Sequence, residues 1–203
     1  MLAGPPFSRA GAKGRNMSTD EDLFQQWQRG NADALATLVQ RHHAPLVAHL
    51  YRLLGDASLA EDLAQETFYR LVRYARSYNP AHPFLPWFYR IARNLASHHR
   101  ESAYHRLVDL RDDLDEQVTT EADPQTWIER QEEDAALLAA LKHLSLEQRE
   151  VLSLRFGEEL GVKETALILD VPVGTVKSRT FSALRRLRAC LEPVSLRRVE
   201  RKA

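Results

Sequence analysis

Two small helical bundles joined by an acidic tether, with no sheet, form the architecture predicted by three features of this 203-residue chain. Apolar residues recur at intervals of three and four, and no segment keeps the two-residue alternation of a strand. Between Asp109 and Asp134, 11 acidic residues against 2 basic ones interrupt that period around Pro124. A charged stretch of this kind cannot build a core, so it reads as a linker between two all-α units.

Taken in order, residues 1–17 are rich in Gly, Pro, Ala and basic side chains without a helical period. They read as a disordered tail, with Met1 or Met17 as the start. Thr19 or Asp20 can cap a first helix through Trp27, and Asn31 a second that runs towards Leu54 with Pro45 inside it. Gly30 and Gly55 are the stops. Asp56 or Ser58 opens a third helix, which ends before the loop Asn79-Pro80-Ala81-His82-Pro83. A fourth helix starts at about Pro86 and buries Trp87, Ile91 and Leu95 as one stripe, leaving Arg90, Arg93 and Asn94 near its edges. The first domain is expected over residues 18–106 and the linker over 107–124.

The second domain is expected over residues 125–192, followed by a basic tail over 193–203. Trp127 to His143 reads as a helix, and Ser145 with Gln148 has capping-box spacing for another that Gly157 stops. Two short helices follow, about Val162 to Leu169 and Val173 to Leu191. The turn Asp170-Val171-Pro172-Val173-Gly174 joins them in a helix-turn-helix pattern. On the last helix Val176, Thr180, Leu184, Leu187 and Leu191 form a packing stripe. Thr175, Ser178, Arg179 and Ser182 lie opposite, with Lys177 and Phe181 beside them. Residues 177–202 carry 9 basic and 2 acidic side chains, which suits duplex DNA. A solvated Arg-rich helix shares the charge but not the turn chemistry.

Composition narrows the remaining classes. Twenty-eight basic and 28 acidic residues cancel, so only local charge can indicate a partner. A single cysteine, Cys190, excludes an intrachain disulfide framework and suits a reducing, cytoplasmic setting. No apolar run approaches the roughly 18 residues of a membrane span, so no membrane insertion is expected. No metal, cofactor or catalytic residue is expected. Asp112, Asp113 and Asp115 could attract Mg²⁺ but lie in the linker without a nucleophile, base or phosphate loop. The pairs His42-His43 and His98-His99 are adjacent in sequence and do not share a helical face.

In the first domain, nine of the 16 aromatics lie between Phe68 and Tyr104, within a stretch rich in arginine. Bases that leave a duplex need a π-face and a cationic track, so this mixture suits single-stranded DNA. Phe84, Trp87 and Phe88 also read as core of a small bundle, and Tyr78, at a loop entrance, is the better candidate for stacking. Glu61, Asp62, Gln65 and Glu66 are either a solvated helix face or a docking surface for a basic partner.

The runs EDLAQETF (Glu61 to Phe68), PWFYRIARN (Pro86 to Asn94), LSLEQREVLSLRF (Leu144 to Phe156) and PVGTVKSR (Pro172 to Arg179) resemble, in order and spacing, bacterial extracytoplasmic-function sigma factors. The resemblance covers about Thr19 to Leu191. It implies a subunit that joins core RNA polymerase, recognises the -35 promoter element as duplex with its second domain and melts the -10 element with its first. It places Asp62, Gln65 and Glu66 on the clamp helices of the largest polymerase subunit. Tyr78 and Asn94 would hold a flipped -10 base, with Trp87 in support and Asn79, Arg90 and Arg93 alongside. Thr175, Lys177, Ser178, Arg179, Phe181 and Ser182 would approach the -35 element. A cognate anti-sigma factor is a further implied partner. Ser182-Ala183 stand where the family often continues with arginines, and Asp170 where it commonly has Gly. A stand-alone helix-turn-helix regulator is the alternative reading of the same residues.

Overall fold

The computed structural model describes residues 18–109 and 131–200, and among these every regular element is a helix. The predicted tail over 1–17, the linker from residue 110 onward, Asp112, Asp113 and Asp115, and Trp127 lie outside the described residues.

Local capping chemistry sets most helix starts. Helix α1 (Asp20–Gln28) begins with a reciprocal capping box, in which the Thr19 hydroxyl accepts from the Asp22 N–H and the Asp22 carboxylate accepts from the Thr19 N–H. Asn31 caps α2 (Ala32–Leu54), which Gly55 ends in the left-handed conformation at φ 77°, its N–H closing on the Tyr51 carbonyl. Asp56 caps α3 (Ala57–Arg73), and a short 3₁₀ turn over Ala75–Ser77 leads to the Pro-rich loop. Helix α4 (Phe84–Asp109) starts two residues before the expected Pro86. Proline fits there because a first-turn residue has no intrahelical N–H bond to lose. The helix also runs into the first residues assigned to the linker.

Helix α5 (Gln131–Lys142) precedes α6 (Leu146–Leu152), which Ser145 and Gln148 open with the expected capping box. A π turn over Ser153–Gly157 follows, then α7 (Val162–Leu169) and α8 (Val173–Glu200). Asp170 ends α7 in the left-handed region at φ 54°, a conformation that Asp tolerates better than most side chains. Helix α8 does not stop near Leu191: no glycine follows to end it, and residues 193–200, expected as a tail, are helical.

In the first module α2 packs against α1 and α3, and α4 against α3. Its centre is aromatic: Phe24 has the rings of Trp27, Tyr78, Phe84 and Trp87 within 5.1–5.4 Å, and Phe84 stacks on Phe88 at 5.6 Å. Phe84 and Phe88 are fully buried, as the core reading of those rings required. In the second module α8 packs against α5, α6 and α7. The two modules also touch, α4 against α7 and α2 against α6 and the π turn.

Candidate nucleic-acid interface

The buried stripe of α4 is Phe84, Phe88, Ala92, Leu95 and Ala96. Trp87 and Ile91, expected at its centre, lie one position round the helix and are only partly buried. This offset gives the module its cleft. About 360 Å³ in volume, it is lined by Ser77, Tyr78, Asn79, His82, Trp87, Arg90, Ile91 and Asn94. Trp87, Ile91 and Asn94 share one face of α4 through their spacing of four and three, so one helix supplies an entire wall.

The opposite wall is the loop after the 3₁₀ turn, held by its own hydrogen bonds. The Asn79 side chain accepts from the Ala81 N–H at 3.0 Å, and the Tyr78 hydroxyl donates to the His82 carbonyl at 2.8 Å. Glu21 of α1 accepts from the Phe84 N–H at 2.7 Å, so a carboxylate from another helix satisfies the start of α4 and fixes it beside the loop. Tyr78 is not the open stacking face expected of it. Packed on Phe24 and Trp87, it is 6% exposed, and burial, with Glu21 adding, holds its hydroxyl above the ordinary phenol value. Arg90 and Asn94, by contrast, are exposed.

The structure therefore gathers Tyr78, Asn79, Trp87, Arg90 and Asn94, and separates Arg93 from them. Arg93 lies about 60° from Arg90 around the helix, and its Nε is 3.4 Å from Glu150 of α6. His82 falls within the predicted loop, whereas Ser77 and Ile91 were missed as lining residues, and of these Ile91 carried a signal, its spacing of four from Trp87.

On α3, Asp62 and Gln65 are exposed, and Glu66 is paired with Arg70 at 2.7 Å one turn on. Glu61 is drawn away to His43 of α2 at 2.9 Å, which leaves it on a different side of the acidic cluster. Tyr69, 59% exposed and within one turn of Gln65 and Glu66, extends the same outer face.

In the second module the turn is closed by the Val171 N–H on the Ala166 carbonyl and by the Thr175 and Val176 N–H groups on the Pro172 carbonyl. Val176 and Ala183 are the fully buried contacts of α8, with Leu187 packed beside them. Leu184, placed in the packing stripe, is instead 42% exposed, since Ala183 takes its inward position. Lys177 and Ser178 are exposed, and Phe181 is 71% exposed. Thr175 and Arg179 are half-buried. Ser182 does not belong to the free face: its hydroxyl accepts from Gln148 of α6 at 3.3 Å and donates to the Arg179 carbonyl at 3.0 Å. Arg185, exposed one turn beyond Phe181, continues the face and was missed, although its spacing was legible.

Among the described residues no group of three His, Cys, Asp or Glu side chains could hold a metal ion. His42 is bound to Asp20 at 2.8 Å and His43 to Glu61. Among the described residues no helix is long and apolar enough to cross a membrane.

Comparison with known proteins matches both helical modules to one family. Residues 38–106 match Sigma-70 region 2, and residues 140–189 match Sigma-70 region 4. Over 167 residues the chain is 31% identical to the ECF RNA polymerase sigma factor BldN of Streptomyces coelicolor, a match that spans 82% of this chain and 63% of that protein. Over 183 residues it is 30% identical to the RNA polymerase sigma-H factor of Pseudomonas aeruginosa, spanning 86% of this chain and 95% of that one. Its fold is similar to that of the sigma factor RpoE of Bartonella quintana, solved in complex with the anti-sigma factor NepR. The TM-score is 0.65, at 24% identity over 77% of this chain and 96% of the other.

Proposed function

The chain belongs to the extracytoplasmic-function branch of the sigma-70 family of RNA polymerase sigma factors, and from this premise we propose that it binds core RNA polymerase and directs promoter-specific initiation. The first domain, about residues 18–106, melts the -10 element, and the second, about residues 125–192, recognises the -35 element as duplex. The bond-forming chemistry belongs to the polymerase, so the chain itself is not an enzyme and works in the cytoplasm.

The observation that carries this reading is the cleft between the 77–82 loop and α4. Opening a duplex costs roughly 1.4 kcal/mol of stacking per step, and a protein without nucleotide hydrolysis offsets that only by binding what is released. A cleft of about 360 Å³ with an aromatic edge, an exposed guanidinium and an amide side chain suits an extruded base and its phosphate. In this scheme Asn94 and Asn79 hydrogen-bond the base edge, Trp87 supports its face and Arg90 follows the backbone. Tyr78 acts from behind, holding the loop and the Trp87 ring in position.

Lys177, Ser178, Arg179 and Phe181, with Thr175 at the helix start, approach the -35 duplex. The cations neutralise phosphate and the polar and aromatic side chains meet base edges. Asp62, Gln65 and Glu66 form the docking face for the clamp helices of the largest polymerase subunit. Since RpoE of Bartonella quintana was solved with an anti-sigma factor, a partner of that kind is proposed here too.

Transcription in vitro with purified core on a genomic library, with start-site mapping, tests the function directly. Site-selective initiation that depends on the chain is expected, and initiation unchanged by it overturns the proposal. Gel shift with and without core separates the second reading, since a stand-alone regulator would hold its DNA tightly without polymerase.

A further inference from the structure

Helices α1, α2 and α3 each begin on a cap from the residue just before them, Thr19, Asn31 and Asp56. Helix α4 has no such residue, because Pro83 stands before it with a side chain that neither donates nor accepts. The orphan N–H of Phe84 goes instead to Glu21 Oε1, 63 positions away, at 2.7 Å. At the other end of the same segment the Gln28 amide donates to the Ala75 carbonyl at 2.9 Å. Ala75 opens the 3₁₀ turn and Phe84 opens α4, so these two bonds bracket the loop that forms one wall of the cleft.

Glu21 and Gln28 are seven residues apart on α1, which places them on one face of the helix and roughly 10 Å apart along its axis. The nine positions from Ala75 to Phe84 could stretch to roughly 30 Å if free. The loop ends are thus tied to a rod of fixed length. Between the ties Phe24 packs on Tyr78, Phe84 and Trp87 at 5.1–5.4 Å. Apolar packing of this kind is non-directional and leaves the loop free to slide. A hydrogen bond to one carbonyl and another to one N–H remove that freedom, because each weakens steeply off its axis. The ties also differ in kind. An amide can donate to a carbonyl, a carboxylate cannot, so the two ends have fixed partners. Helix α1 precedes the residues that match Sigma-70 region 2.

We propose that Glu21 and Gln28 are positioning residues of the cleft, and that α1 is a ruler that sets where Tyr78, Asn79 and His82 stand against Trp87, Arg90 and Asn94 of α4. The inference rests on the proposed function for what the cleft holds, whereas the ruler itself is a property of the free chain. Releasing either end frees the loop, so loss of both ties costs little more than loss of one.

Two measurements on the full chain test it. In the free chain, amide exchange followed by NMR reads the ruler. Glu21→Ala cuts the tie at Phe84, and Gln28→Ala cuts only the tie at Ala75. Both should speed exchange of the Phe84 amide about fivefold or more, while the Leu46 and Leu50 amides of α2 keep their rates. With core polymerase, promoter opening reads the consequence. If the loop with one tie cut keeps its place one time in five, opening slows about fivefold, while closed-complex binding stays within about twofold. The double variant should stay within about twofold of either single one, whereas independent effects would multiply to about 25-fold. Glu21→Gln retains an acceptor oxygen and should restore opening to within about twofold. Gln28→Glu has no donor and should not. Faster Phe84 exchange in Glu21→Ala alone, faster exchange throughout α2, or opening losses that multiply overturns the ruler. Coupled exchange with opening unmoved in every variant contradicts melting by this cleft, which is the proposed function, and leaves the ruler standing.

Discussion

Tyr89 and Glu158, 69 residues apart in the chain, share a hydrogen bond of 2.5 Å across the junction of the two modules. Tyr89 is 1% exposed and His49 lies against its ring edge at 5.2 Å. Burial raises both the tyrosine hydroxyl and the Glu158 carboxyl above their ordinary values, the tyrosine reinforced by Glu158, and the carboxyl pulled back in part by Tyr89 and Arg52. The bond therefore joins a neutral donor to a carboxylate that would lose both partners on separation.

Phe88 is fully buried between Phe84, Phe68 and Tyr89. Phe88→Ala is expected to destabilise the first module by about 3–5 kcal/mol, the range for a large core truncation that leaves a cavity. Urea denaturation checks it; a loss below about 1 kcal/mol would place the ring outside the core.

Asn94 is exposed on the cleft wall, whereas Tyr78 is packed behind it. Asn94→Ala should slow promoter opening tenfold or more, about 1.4 kcal/mol, while closed-complex binding stays within about twofold. Tyr78→Phe, which keeps the ring and loses only the bond to the His82 carbonyl, should have a smaller effect on opening. Stopped-flow fluorescence of a base analogue in the -10 element separates the steps, and equal losses in both would remove Asn94 from base capture.

Lys177 is exposed near the start of α8, while Ser182 is tied to Gln148. Lys177→Ala should weaken DNA binding by the holoenzyme across sequences and lower the salt slope by about 1. Ser182→Ala should leave the slope unchanged and cost about 0.5–1.5 kcal/mol of stability through the lost hydrogen bond. Filter binding at several salt concentrations distinguishes them; a slope altered by Ser182→Ala would return that residue to the DNA face.

His49 is buried and held neutral, its value lowered from 6.5 to about 3 by burial and by the neighbouring Arg52 charge. Ser153, Arg52 and Tyr89 face it, with Glu158 beyond them. The unfolded chain takes up a proton below about pH 6.5 that the folded chain refuses until about pH 3, so this residue makes stability fall as pH drops through that window. Between pH 7 and 5 the loss is about 2 kcal/mol. Glu158, held above its ordinary value, titrates with the opposite sign from about pH 4.5 upward, so the comparison that isolates the histidine is with His49→Gln. That variant should show a flatter decline in urea midpoint; an identical decline would mean that His49 is not the group responsible.

Much of the helical framework was legible because its signals are local. Thr19 with Asp22, Asn31, Asp56, and Ser145 with Gln148 each act within four residues of themselves, and Gly55 ends α2 by a backbone conformation that few other residues adopt. The turn after Leu169 was visible for the same reason, as was the face of α8 carrying Lys177, Ser178 and Phe181.

The cleft was only half legible. A spacing of four groups Trp87 with Ile91 and equally Phe84 with Phe88, on stripes about 60° apart, and nothing in that period states which stripe faces the core. The answer comes from α2 and α3, whose His42 and Phe68 rings pack on Phe84 and Phe88 and so draw that stripe inward.

Caps, turns, apolar periods and the acidic break are written along the chain, because each depends on neighbours a few bonds away. Which arginine serves the cleft and which the junction, whether Tyr78 faces solvent or core, and that Glu158 meets Arg52 and Tyr89 were decided only in three dimensions. Those contacts join residues 69 and 106 positions apart. Their charges become partners only where folding buries them together and removes the water that would otherwise satisfy each alone.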